Sequence, residues 1–92
     1  MTLSDLVVAR GTVRSDPMFP RNGSVTVCVF ELSILEGEST IPLVARIVTS
    51  VPGLVEKCRY IIEKGNRVTV VGKAMAAPVP KIRLEEVTLE KG

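Results

Sequence analysis

The side chains in this chain that carry chemistry are cations set into alternating apolar sequence. Arg10 and Arg14 lie four residues apart in DLVVARGTVRS, residues 5–15. Arg46 interrupts an apolar run before Thr49, Lys73 follows Val70-Val71-Gly72, and Lys81 and Arg83 flank Ile82. Arg21 closes the short group Phe19-Pro20-Arg21. An arginine fork pairs with phosphate oxygens and its planar face stacks on a base, whereas lysine acts as a mobile point charge. Cations of this kind, spaced along strands, form a track for a polyanion; the competing reading of each is ordinary solvated charge. Aromatic partners are scarce, since the 3% aromatic content is Phe19, Phe30 and Tyr60 and there is no tryptophan. Stacking a base on an aromatic ring contributes about 1–3 kcal/mol, so a nucleic-acid site here has to rest mainly on phosphate contacts. Neutralising roughly three to four phosphates predicts a log–log salt slope of about −2 to −3 for a single strand.

Composition narrows the alternatives. Twelve basic and ten acidic side chains give a net charge of +2, short of the basicity of a protein that coats duplex DNA, so any binding site comes from local arrangement. Histidine is absent, which argues against a zinc site and a histidine-based triad. No GxSxG, P-loop or metal-ligand cluster occurs, and the expectation is a protein that is not an enzyme and takes no cofactor and no metal. Cys28 and Cys58 stand far apart without CxxC spacing, the pattern of two buried thiols rather than a disulfide. The chain has no run of about 18 apolar residues. Met1–Val8 contains Asp5 and no basic leader, unlike a signal peptide. A cytoplasmic, nucleoid-associated protein is expected, with no membrane contact.

The elements that must position these cations follow from periodicity. Residues 1–92 form one domain, because two would each fall below the usual minimum size. Residues 5–15 alternate Ala9, Gly11 and Val13 with Arg10, Thr12 and Arg14, the period of a half-buried strand. Turn chemistry follows at Asp16-Pro17 and Pro20-Arg21-Asn22-Gly23. Ser24–Leu35 is apolar on both faces and reads as a central strand, and after the polar turn Glu36–Ser39 a third strand runs over Thr40–Thr49. In Gly53–Lys64, Leu54, Cys58, Ile61 and Ile62 share one helical face, and Gly65 stops the helix. Arg67–Ala76 and Ile82–Leu89 are the last strands, joined by a stiff Pro78-Val79-Pro80 loop. Gly11 and Gly72 in mid-strand predict bulges or bends. Three strands, a helix and two strands make an all-β, five-stranded Greek-key barrel of the OB type, with the helix between strands three and four plugging one end. An open α+β sheet is the competing fold.

Phe30 alternates with Cys28 and is expected in the core. Tyr60 is expected to pack as part of the plugging helix, and Lys57, Arg59 and Lys64 to face solvent. Phe19 is either a stacking residue or a loop anchor.

Several stretches are familiar. Leu6-Val7-Val8-Ala9-Arg10-Gly11-Thr12-Val13 followed by Asp16-Pro17 is similar to the opening strand of the bacterial single-stranded-DNA-binding family. Val27–Leu32 resembles its second strand, Tyr60–Gly72 its helix-to-strand passage, and Leu84–Leu89 its last strand. The resemblance covers nearly the whole chain, and its shortness resembles the primosomal replication protein N (PriB-like) branch most. It implies single-stranded DNA binding in DNA replication, recombination or repair; the candidate binding residues, read from their places on the strands and turns of the barrel, are Arg10, Arg14, Phe19, Arg21, Arg46, Lys73, Lys81 and Arg83. It also implies a homodimer or homotetramer, to which the apolar Leu3–Val8 stretch is suited, and replication or repair proteins as partners. The chain departs from the family in lacking tryptophan on the binding strands and an acidic tail. Two other functions fit the same barrel: a protein-interaction subunit of a replication or repair complex, favoured by the apolar Met75–Pro80 loop, and an RNA-binding domain.

Overall fold

The valine-rich alternating segments become strands that close on one another, because each carries one apolar face that only the others can cover. The computed structural model describes residues 6–36, 44–75 and 81–90. Their elements are β1 (Leu6–Val13), β2 (Arg21–Asn22), β3 (Val25–Thr26), β4 (Cys28–Glu36), β5 (Val44–Thr49), α1 (Pro52–Ile61), β6 (Arg67–Met75) and β7 (Lys81–Leu89). The five long strands form a closed barrel in the order β1-β4-β5-β7-β6. All of its pairings are antiparallel except β5 with β7, which run parallel and bring Arg46, Ile47 and Val48 beside Lys81, Ile82 and Arg83. The expected barrel with one helix between its third and fourth strands is the observed architecture.

Strand β1 closes the barrel by pairing on both sides. Leu6–Thr12 lie against Lys73–Arg67 of β6, and Arg10–Val13 lie against Glu36–Leu32 of β4. The β1–β4 register shifts at Arg10/Gly11 and the β6–β7 register shifts at Val71/Gly72. Both expected mid-strand glycines therefore sit at irregularities. A Cβ on Gly11 would collide with the Ser33 carbonyl, and one on Gly72 with the Arg83 carbonyl. The chain turns sharply at these points only because nothing projects from the backbone there.

Inside the barrel are Ala9 and Val13 of β1, Cys28, Phe30 and Leu32 of β4, Ala45 and Ile47 of β5, Val68 and Val70 of β6, and Ile82, Leu84 and Val87 of β7. Val55, Cys58 and Ile62 close its end. Helix α1 starts on Pro52, whose missing N–H costs nothing at a first helical position. The helix ends earlier than its apolar spacing suggests: Ile62 is already extended, with φ −94° and ψ 116°. Ile62 is buried all the same, and its N–H still reaches the Cys58 carbonyl at 2.9 Å. Tyr60 is not a packing residue as expected. It is 82% exposed, because two residues beyond buried Cys58 it is turned about 200° around the helix axis.

Between β1 and β4 the chain makes a long arm. Met18 and Val29 exchange backbone hydrogen bonds of 2.8 and 2.9 Å, Val27 N–H reaches Pro20 O at 2.9 Å, and β2 pairs with β3. Gly23 turns the tip with φ 66°. Phe30 is buried as expected, and Cys28 and Cys58 are free, fully buried thiols. They share a thiol–thiol hydrogen bond, which together with burial pushes the Cys28 thiol upward from its ordinary pKa. The Pro78–Pro80 loop and the turn after Glu36 lie outside the described residues, as does the 40–43 part of the expected third strand.

Candidate nucleic-acid interface

The outer surface of the barrel is built from the residues that alternate with the core. On β4, Val29, Glu31 and Ser33 point outward between buried Cys28, Phe30 and Leu32. On β5, Arg46 and Val48 alternate with buried Ala45, Ile47 and Thr49. On β7, Lys81 and Arg83 flank buried Ile82. Register then aligns these side chains in rows across the strands.

One row begins at Arg14, whose N–H donates to the Glu31 carbonyl at 2.8 Å. Glu31 is paired with Arg46, and Arg46 with Lys81. The next row runs Met18, Val29, Val48, Arg83 and Lys73. Neighbours within a row are about 5 Å apart, and the rows lie two residues, roughly 6.6 Å, from each other. The rows therefore bring Arg14, Arg46, Lys73, Lys81 and Arg83 onto one outer face, with Glu31 of β4 set between Arg14 and Arg46. Among the described residues none of the five has a carboxylate within ion-pair distance. With five cations against the single Glu31 in these two rows, the face carries a net positive charge, and phosphate oxygens are its natural complement. Ser15, Asp16, Met18, Val29, Glu31 and Arg46 line an open depression beside it.

Arg10, Phe19 and Arg21 stand elsewhere. Arg10 is on the β1–β6 flank, opposite Thr69, where it holds Glu90 in a two-pronged pair: Nε donates to Oε2 at 2.7 Å and Nη2 to Oε1 at 2.9 Å. The Thr69 hydroxyl donates to the same carboxylate at 2.6 Å. The Arg10 guanidinium first, and the Thr69 hydroxyl second, hold the Glu90 carboxyl well below its usual pKa, at about 2. Phe19 packs against the core, with the Arg59 guanidinium 4.3 Å from its ring centroid. The ring is sandwiched between protein groups, the arrangement of a loop anchor. Arg21 projects from the arm near its tip.

Met18, Val29 and Val48 did not emerge as surface residues of interest from the sequence. The signal was the doubly apolar character of Ser24–Leu35, which puts valines outside as well as inside. Met18 needed the arm's backbone pairing to bring it beside them. Among the described residues no His/Cys/Asp/Glu group could hold a metal ion, and no helix is long and apolar enough to cross a membrane.

No protein-family model matches the chain, and no curated protein sequence does either. Solved structures do match. A small single-stranded DNA-binding protein from Streptomyces coelicolor superposes with a TM-score of 0.82 at 14% identity, over 98% of this chain and 95% of that one. The Plasmodium falciparum SSB in complex with ssDNA gives 0.74 at 21% identity, over 99% and 97%. The N-terminal domain of PriB from Thermoanaerobacter tencongensis, described as dimeric, gives 0.73 at 17% identity, over 96% and 98%. The alignments span almost the full length of each partner, helix and barrel together, at identities that speak for architecture alone. This chain has the OB fold, in the form that those three proteins share.

Proposed function

We propose that this chain binds single-stranded DNA through the outer face of β5 and β7, as a non-enzymatic component of DNA replication, recombination or repair in the cytoplasm. The observation that carries the proposal is the grouping of Arg14, Arg46, Lys81, Arg83 and Lys73 on one face, none of them ion-paired among the described residues, on the fold that the ssDNA-binding neighbours share. Arg14, Arg46 and Arg83 are exposed, and their forks are available to phosphates. Lys73 and Lys81 are half-buried, so their stems pack while their ammonium groups reach out. Arg10 binds Glu90 and contributes to the flank, not to the track.

The same flank supports self-association. Leu6 and Val8 are 50% and 57% exposed, and Val8 is paired with Val71 of β6. An apolar strip along a strand of a closed barrel is a surface that a second copy can cover, as in a homodimer or homotetramer.

The test is a titration with a dT oligomer, the matched RNA and a duplex across a salt series. Preference for the DNA strand with a log–log slope of about −2 to −3 is expected. Arg46→Ala and Lys81→Ala each reduce that slope by about 0.7, while Arg10→Gln leaves it in place. Tighter binding to RNA moves the function to RNA, and absence of binding to all three leaves a protein-interaction barrel.

A further inference from the structure

We propose that Met18, Val29 and Val48 form the platform on which the bases of the bound strand rest, an aliphatic and thioether surface in place of aromatic rings. The inference rests on the ssDNA reading above and specifies how that site contacts its ligand. Single-strand binding needs two kinds of surface, one for phosphates and one for the exposed faces of bases. The cations supply the first. The second is not aromatic on this face: Phe30 is inside the barrel, Phe19 lies under Arg59, and Tyr60 projects from the helix.

What the face does offer is a continuous apolar strip. Met18 and Val29 are hydrogen-bonded partners, and Val29 is in register with Val48. Directly opposite partners project to the same side, so the three side chains lie together over about 10 Å. Met18 is 65% exposed, with Val29 and Val48 half-buried beside it. An unbranched thioether is polarisable and adapts its shape, which suits it to the flat face of any base.

Charge fixes which part of a strand fits where. Arg83 is the next residue in the strip's own row, and Arg46 and Lys81 occupy the neighbouring row. Glu31 lies between Arg14 and Arg46 in that neighbouring row, and Asp16 and Arg46 both line the depression that Met18 and Val29 share. Phosphates are drawn toward Arg46, Lys81 and Arg83 on β5 and β7, and the apolar strip beside them is left to the bases. A duplex keeps its bases stacked inside, so it engages the cations alone. The strip has no side-chain hydrogen-bond donor, and it accepts all four bases with similar affinity.

Anisotropy titrations of Met18→Ser, Val48→Thr and Met18→Trp test this with two probes, a dT oligomer and an abasic strand of equal length. Thermal melting first establishes that each variant is folded; the exposure of Met18 makes its two variants the decisive pair. Met18→Ser and Val48→Thr are expected to weaken dT binding about three- to tenfold at every salt concentration, with the salt slope and abasic affinity unchanged. Met18→Trp is expected to tighten dT binding about tenfold. Unchanged dT affinity, or equal losses on the dT and abasic strands, overturns the platform while leaving the cationic track intact. Failure of the unaltered protein to bind dT at all overturns the ssDNA reading, and the platform with it.

Discussion

The guanidinium of Arg59, on the helix, lies 4.3 Å from the ring centroid of Phe19, in the arm between β1 and β4. The contact ties the arm to the element that plugs the barrel, and it covers a ring that would otherwise be available to a ligand. Arg59 also approaches Glu56 at 3.9 Å, a long pair on an exposed surface that contributes little. Arg59→Ala is expected to cost about 0.5–1 kcal/mol in urea unfolding, the usual size of a partly exposed cation–π contact. Phe19→Ala should cost more, about 1–3 kcal/mol, because the ring also packs on the core. A loss of ssDNA affinity in Phe19→Ala at full stability would instead mark the ring as a stacking residue.

Gly72 gives a sharper stability test. A methyl group there meets the Arg83 carbonyl and the Ile82 side chain in the neighbouring strand. Gly72→Ala is expected to destabilise the barrel by about 1–3 kcal/mol through forced backbone displacement. Gly53, in the first turn of the helix with open space around it, is the control. Gly53→Ala should be neutral or stabilise by up to about 1 kcal/mol. Equal effects at both positions would refute the close-approach account of the bulge.

The Arg10–Glu90–Thr69 cluster predicts an acid-sensitive contribution to stability. Glu90 titrates at about 2 in the folded chain against an ordinary value of 4.5. Its folded-state pKa is depressed, so the contribution is complete above about 4.5 and disappears as pH falls toward 2. Denaturant midpoints measured down through this window should fall more steeply for the natural chain than for Glu90→Gln. Parallel curves would show that the pair adds nothing.

Self-association places a second demand on the same flank. Val8→Glu puts a charge in the middle of the exposed apolar strip of β1 and is expected to shift sedimentation toward the monomer at tens of micromolar, with the melting temperature little changed. An unaltered sedimentation profile would move the interface elsewhere on the barrel.

The sequence alone determined that there is a barrel and roughly where its strands lie. Apolar alternation is a local property: Ala9, Gly11 and Val13 share a face whatever they pack against, and the same holds for Ile82 and Leu84. Two glycines in otherwise valine-rich strands announced the register shifts, because a mid-strand glycine is retained where a neighbouring backbone comes too close for a Cβ. Pro52 marked the start of the helix in the same local way, whereas Gly65, expected as its stop, turns the chain only after Ile62 has left the helix. The grouping of the cations was decided only in three dimensions. Arg10 and Arg14 have the same sequence parity, yet Arg10 is flanked by β6 as well as β4, whereas Arg14 lies past the end of β1 against Glu31 of β4. Arg10 thus turns to Glu90, eighty positions away, while Arg14 joins Glu31, Arg46 and Lys81. Parity along one strand specifies inside or outside; it carries no information about which strand lies alongside, and that neighbour is what converts separate charges into a surface.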